Sequence, residues 1–292
     1  MYKIIQVDKI ESQYLNQRII EGLKKMNGRI NTNNYEELFV ALKDSSIEGF
    51  GISWTNSNHP TAKYIDFCSA IPIPQLMERL LKYSAPHNKV ILSCWEDEID
   101  KIEIAKESGF SVFRKTYIER YSIKYIINRL QATPIPHTGY SLRDVLKDAR
   151  LTEDLFHLLK YNYEQTHLAN EAKDISWELW REKLLSDNPD LDLSYIIVND
   201  NQISAYIFLH KTEDCHYEVG WMGKRRHVDI LPGLLKKQLI DLEAEGIQTV
   251  EFEIDTTDYF AYEFFEILDL KNKNSWVSFI LKNEYSLVQE KV

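Results

Sequence analysis

Lys224, Arg225 and Arg226 stand between Gly223 and His227 in one short turn, which places three fixed cations together. The strand-like run His216 to Trp221 leads into this turn. A helix follows it, with Pro232 in a first turn where a missing N–H costs nothing. A helix start offers unpaired N–H groups and the positive end of the dipole, so cations just ahead of it make a phosphate site. The candidate contacts are Arg225, Arg226 and the backbone N–H groups of His227, Val228, Asp229, Ile230 and Leu231, with Trp221 at the end of the strand. A carboxylate at 229 facing phosphates would oppose them by about 1 kcal/mol in water at close range. The alternative is that Asp229 turns away and caps the helix.

Leu234, Leu235, Leu239 and Leu242 recur at helical spacing, and Gly246 suits a left-handed cap. Thr249 to Ile254 then alternates Val250, Phe252 and Ile254 against Thr249, Glu251 and Glu253, which is strand period. On the strand before the basic turn, strict alternation puts His216, Glu218 and Gly220 on one face and Tyr217, Val219 and Trp221 on the other.

In this order and spacing, residues 215–270 resemble the acetyl-CoA-binding core of the GNAT acyltransferase superfamily. That core runs strand, (Q/R)-x-x-G-x-(G/A), helix, strand, an Asn-bearing turn and a Tyr-bearing helix. Aligned on Leu234-Leu235, the family's Arg falls on Arg226, its small positions on Asp229 and Leu231, its Asn on Asp258 and its Tyr on Phe265. The resemblance implies acetyl-CoA as co-substrate and transfer of its acetyl group to an amine. Glu218 is then the candidate base, provided it faces the cleft, and a bulge on its strand, usual in the family, would alter the strict alternation. Asp258 stands at the family's cofactor-holding Asn, with helix capping as its alternative role. Phe265 cannot donate a proton, so Tyr262, one helical turn away, is the candidate acid. Tyr163, His167 and Asn170, after the first helix of the C-terminal half, are the candidate acceptor wall. The alternative is a catalytically inactive GNAT-like module that binds CoA or a protein partner.

The order of residues 64–123 repeats that of 215–282: strand, helix, strand, short helix, strand. Gly109-Phe110 followed by SVFRKTYIERYSI looks like the end of a GNAT domain. In this first copy Pro72-Ile73-Pro74 stands in place of the basic turn, and Ala105 in place of the family's Tyr. The expected fold is therefore α/β (α+β), with two tandem GNAT-like domains, each a mixed twisted sheet flanked by helices. The expected division is a degenerate N-terminal domain over 1–130, a linker at 131–139 (QATPIPHTG), and a C-terminal domain over 140–292 carrying the cofactor site.

Along the chain, strands are expected at Tyr2 to Val7, Phe50 to Trp54, Tyr64 to Ala70 and Lys89 to Cys94, and helices at 11–26, 34–43, from Pro74, and at Glu98 to Lys106. TNSNHPT reads as a loop. Tyr140 to Leu146 reads as a strand, Thr152 as the cap of a helix over 153–165, and Ser176 as the cap of the next. Tyr195 to Val198 and Ile203 to Leu209 form a hairpin, 259–266 a short helix, and Trp276 to Leu281 a closing strand.

Composition sets the outer bounds. The chain has 292 residues, 44% apolar and 27% charged, as a globular protein does. A net charge of −10 argues against non-specific nucleic-acid binding. Cys68, Cys94 and Cys215 lack metal-ligand spacing, and an odd, sparse set fits a reducing cytoplasm. There is no apolar run of about 18 residues, no signal-peptide core, no G-x-G-x-x-G and no Walker loop. The expected partner is a small-molecule or peptide amine, with no nucleic acid, no membrane and no metal; a homodimer stays open.

Overall fold

The computed structural model describes residues 2–9, 29–30, 32, 34–44, 46–69, 73–136, 139–212, 216–226 and 229–282. The helix expected at 11–26 lies outside them. The described residues fall into two compact units. The first takes residues up to Arg114, Ala169–Lys173 and the chain from Trp276; the second takes Lys115–Leu168 and Asp174–Ser275.

The first unit holds β1 (Lys3–Gln6), β2 (Glu37–Lys43), β3 (Ser46–Asn56), β4 (His59–Ser69), α1 (Pro74–Ser84), β5 (Lys89–Trp95) and α2 (Ile99–Glu107). The C-terminal strand, which is β12 in chain order (Trp276–Lys282), pairs antiparallel with β5, from Trp276 opposite Trp95 to Lys282 opposite Lys89. The sheet order is β1-β2-β3-β4-β5-β12. Only β4 and β5 run parallel, with α1 as their crossover. Pro74 opens α1 as expected, and Leu76, Met77 and Leu80 bury its inner face.

The segment read as a helix at 34–43 is instead the strand β2. Leu38, Phe39, Val40 and Ala41 are all buried: Phe39 and Ala41 pack into one apolar cluster, Leu38 and Val40 into another. A strand buried on both faces reads as a continuous apolar run, which a short helix mimics. The expected loop TNSNHPT is a tight hairpin, because β4 already begins at His59.

The second unit takes the Lys115–Ser122 part of β6 (Ser111–Ser122). It continues through α3 (Ile123–Arg129), β7 (Tyr140–Ser141), α4 (Leu142–Val145), α5 (Ala149–Thr166), α6 (Trp177–Ser186), β8 (Tyr195–Asn199), β9 (Gln202–Lys211), β10 (Tyr217–Lys224), α7 (Leu231–Ala244) and β11 (Thr249–Asp255). A 3-10 turn follows at Ala261–Phe264. The sheet order is β6-β11-β10-β9-β8-β7, again with one parallel pair, β10 and β11. A cut at 131–139 would put β6 and β12 each with its sequence neighbours, whereas the contacts group β6 with β11 and β12 with β5.

Two local expectations change here. Tyr140 to Leu146 gives only two strand residues before α4, because Ser141 accepts from the Asp144 N–H and turns the chain into helix. The cap of α5 is Asp148, which accepts from Arg150 and Leu151, while Thr152 sits inside and donates to the Val145 carbonyl. Ser176 caps α6 as read. Asp200 and Asn201, both at positive φ, close the β8–β9 hairpin.

α7 is held by Leu231, Leu234, Leu235, Leu239 and Leu242, all fully buried, each worth about 1.5–3 kcal/mol of transfer free energy. Gly246, at φ +85°, ends it in the left-handed region. Among the described residues no helix is long and apolar enough to cross a membrane.

Candidate active site

The site begins with a fault in β10. Its antiparallel ladder to β9 pairs Val219 with Leu209 and then Met222 with Ile207, so Gly220 and Trp221 together stand opposite one residue. This is a β-bulge, and it breaks the strict alternation. On its other edge β10 pairs with β11 only at Tyr217/Val250, Glu218/Glu251 and Val219/Phe252. From Gly220 and Glu253 onward the two parallel strands part.

A cavity of about 210 Å³ opens where they part. β10 lines it with Glu218, Gly220, Trp221 and Met222, and β11 with Glu253 and Asp255. The end of α5 contributes Asn162, Tyr163, Thr166 and His167; Tyr206 of β9 and Asp258 complete the polar wall. Tyr163 stacks on His167 at 3.9 Å and on Trp221 at 5.2 Å. His210 lies directly across from Glu218, and a Cβ on Gly220 would come within 2.5 Å of its Nδ1, so the imidazole rests on the glycine.

The electrostatics are acidic. Burial raises the Glu218 carboxyl above its ordinary value, and the charges of Glu251 and Asp187 push the same way. Burial also pushes Asp258 up to about 6, against the pull of two backbone N–H bonds. Burial lowers the His210 imidazole below its ordinary value, against the pull of the Asp187 charge. The Tyr206 phenol is raised by burial and keeps its proton. Among the described residues, no Lys or Arg lines the cavity.

Thus Glu218, Trp221, Asp258, Tyr163 and His167 come together as named from the sequence. Other expected site residues go elsewhere. The Arg225 guanidinium bonds Asp154 at 2.6 Å and the Ile203 carbonyl at 2.7 Å, which ties it to the body of the unit. Lys224 pairs with Glu263 at 2.6 Å. Arg226 is exposed near the start of α7, and its charge reaches the Tyr259 phenol. His227 and Val228 lie outside the described residues. Asp229 is exposed and does not cap α7: the cap position is Ile230, with no side-chain bond. Leu231 turns its side chain into the core.

Asp258 does cap: its Oδ1 accepts from Phe260 N at 2.9 Å and Ala261 N at 3.1 Å. The segment after it is a 3-10 turn rather than the expected helix, and Tyr262 is 43% exposed, stacked on Phe265 rather than lining the cavity. Asn170 belongs to the first unit, where its amide donates to Tyr64 Oη at 2.7 Å.

Sequence reasoning missed Asn162, Thr166, Tyr206, Glu253 and Asp255. Two of these had a signal. Leu155, Leu159, Asn162 and Thr166 follow one buried stripe of α5, so a polar pair continues an apolar row. The amide of Asn162 donates weakly to Tyr206 Oη at 3.4 Å and to the Lys224 carbonyl at 3.5 Å, while its Oδ1 is buried without a partner. Gly223 makes this possible, since a Cβ there would stand 2.3 Å from Asn162 Nδ2.

No protein-family model matches the chain, and no curated protein matches it. Solved structures do. A GCN5-related N-acetyltransferase from Sphaerobacter thermophilus superposes with a TM-score of 0.58 over 90% of this chain and 85% of its own, at 12% identity. A tandem GNAT protein from the clavulanic acid biosynthesis pathway covers 97% of this chain and 98% of its own, at TM-score 0.51 and 9% identity. A glucosamine N-acetyltransferase region in a fungal multi-domain GH3 β-N-acetylglucosaminidase matches 96% of this chain at TM-score 0.54 and 10% identity, and the match spans 38% of that longer protein. At these identities the likeness is one of fold, and the fold is a tandem GNAT fold.

Proposed function

Taking the tandem GNAT fold as premise, we propose that the second unit transfers an acetyl group from acetyl-CoA to an amine. The observation that carries this is the parting of β10 and β11 at a bulge, beside a carboxylate. Past Val219 the edge of β10 facing β11 has no strand partner among the described residues, so its backbone groups are available to an extended, amide-bearing arm. The α7 start, with Arg226 beside it, is the phosphate end of the same groove.

Glu218 takes one proton from the acceptor ammonium and passes it to solvent. Its raised pKa brings it closer to the working range of a general base. The uncharged nitrogen then attacks the thioester carbonyl, the N–C bond forms and the C–S bond breaks. The second proton leaves the nitrogen as the amide is completed, and the thiolate is protonated. Tyr206 is the donor in this reading, because its hydroxyl lines the cavity and holds its proton. A cytoplasmic setting belongs to the same proposal; the Cys94 thiol is free.

A second reading, a CoA-binding module without catalysis, is favoured by Phe265, which packs edge-on against Tyr117, and by the pairing of Arg225 with Asp154. Calorimetry with acetyl-CoA, followed by an amine screen on the wild type and Glu218→Gln, separates the two. Transfer that drops about 10²–10⁴-fold in Glu218→Gln, with acetyl-CoA binding kept, supports the enzyme. Binding without transfer supports the module. Absence of binding at millimolar acetyl-CoA refutes both.

A further inference from the structure

Resting on the transferase reading, we infer that Asn162 is a positioning residue: its amide holds the Tyr206 hydroxyl so that the phenolic proton is delivered to the leaving sulfur. Asn162 lies on the buried stripe of α5, Tyr206 stands on β9, and both line the cavity.

Two neighbours decide which way the amide faces. Its Nδ2 lies 3.4 Å from Tyr206 Oη and 3.5 Å from the Lys224 carbonyl oxygen. That carbonyl only accepts, so the edge of the amide turned toward it is the NH₂ edge. The edge shown to Tyr206 is therefore a donor, and the phenol oxygen is its acceptor. The cost falls on the other end of the amide: among the described residues, Asn162 Oδ1 is buried without a partner. A flipped amide could take the Tyr206 proton on that oxygen, and the Lys224 carbonyl opposes the flip. Gly223 makes the room. It stands opposite Tyr206 across the β9–β10 ladder, and a Cβ there would lie 2.3 Å from Asn162 Nδ2 and 2.5 Å from Tyr206 Oη.

A hydroxyl that accepts from Asn162 directs its own O–H elsewhere. Tyr206 lines the cavity, so the proton is offered to an acceptor that enters it. Burial holds the phenol in its protonated form, the Asn162 bond works in the opposite sense by favouring the phenolate, and the charges of Asp258 and Tyr259 add to burial. As the C–S bond breaks, its electron pair passes to sulfur. The Tyr206 O–H bond breaks, an S–H bond forms, and a phenolate remains. The Asn162 N–H then donates to a charge, which makes a bond about twice as strong as one to a neutral oxygen. Its length in the free protein fits a contact that tightens as the charge develops. The proton leaving the new amide nitrogen returns through solvent to the phenolate.

The test has two readouts on the whole chain. The first is ionisation of the thiol of bound CoA, followed by thiolate absorbance. In the wild type it is expected about one pH unit below that of free CoA, and Tyr206→Phe and Asn162→Leu are each expected to move it back. The second is kcat for acetylation of an amine. Asn162→Leu is expected to lower kcat about tenfold or more, with the KM for acetyl-CoA unchanged, and to lower it no further in a Tyr206→Phe background. Asn162→Leu also removes the unpartnered oxygen, so its melting temperature should hold or rise; Asn162→Ser, too short to reach Oη, replaces it if leucine lowers that temperature. A thiol ionisation that the Asn162 variants leave unmoved, or a loss of kcat that is as large in Tyr206→Phe as in the wild type, overturns the role of Asn162 while leaving the transferase standing. A lowered thiol ionisation that Asn162→Leu reverses, with no amine acetylated, upholds the pair and removes the transferase.

Discussion

Asp258→Asn should make the protein more stable at neutral pH, although it removes a charged capping group. The Asp258 carboxyl has a folded value of about 6 against an ordinary 3.8. An acid whose folded pKa is raised holds its proton more tightly in the folded chain. Its contribution to stability is therefore fully present below the unfolded value and is lost as pH rises through the folded one. Across that window the penalty reaches about 3 kcal/mol at pH near 7.5 and about 1 kcal/mol at pH near 4.5. Solvent reaches this half-buried carboxylate, which reduces the expected difference between the two pH values from about 2 to about 1 kcal/mol. Asparagine keeps the capping geometry, because its carbonyl oxygen can accept from Phe260 and Ala261 as the carboxylate does. Urea denaturation of both proteins at the two pH values measures the gain. An equal gain at both, or none at the higher, would refute the argument that burial of this charge sets its pKa.

Three further outcomes follow from the geometry. Gly233→Ala should destabilise by about 1–2 kcal/mol in a denaturant titration, because the new Cβ would lie 2.3 Å from the Pro134 carbonyl oxygen; overpacking of about 1–3 kcal/mol outweighs the helix-propensity gain of about 1. Arg225→Ala should cost about 1 kcal/mol of stability through its half-exposed bridge to Asp154 and leave the acetyl-CoA Kd unchanged, whereas Arg226→Ala should raise that Kd with stability within about 0.5 kcal/mol; the opposite pattern by calorimetry and melting would exchange their roles. Lys101→Met should destabilise by about 3–5 kcal/mol, since it strands the buried Asp66 carboxylate, and the loss should shrink at acid pH as Asp66 takes up a proton.

The parts of the site legible in the sequence are those fixed by local chemistry. The leucine spacing of α7, the left-handed Gly246 and the alternation of β11 each follow from one segment's own residues. What depends on distant partners was not legible. Arg225 looks like a phosphate ligand until Asp154, far back on α5, claims it. Tyr262 falls on the expected face of a helix, but the chain there winds as a 3-10 turn. Glu253 alternates with the apolar residues of its strand, and it becomes cavity wall together with Asp255 only because β10 stops pairing with β11. Strand β2 was misread because its alternation divides residues between two buried faces, and a sequence pattern cannot tell two apolar environments apart.

The two units show what one substitution at the parting point does. In the first unit β4 and β5 pair from Ala62/Lys89 to Ile65/Leu92, and the next residue on β4 is Asp66. In the second, pairing ends at Val219/Phe252 and the next residue on β10 is Gly220. Asp66 brings a carboxylate to this place, and a buried carboxylate needs a cation. Lys101 of α2 supplies it at 2.8 Å and lies 5.6 Å from the Phe67 ring centre. The Cys94 thiol in the same surroundings is pushed up to about 12 by burial. β4 also runs beside β3 without a register break there, its one irregularity lying far off at Thr55/Asn56. Gly220 brings no side chain, the bulge turns Trp221 to the wall, and the space stays open. A thioester arm needs unpaired backbone and room beside a base, and the second unit supplies both. The same position in the first unit is filled by the Asp66–Lys101 ion pair, which is why the transfer proposed above is assigned to the unit with the glycine.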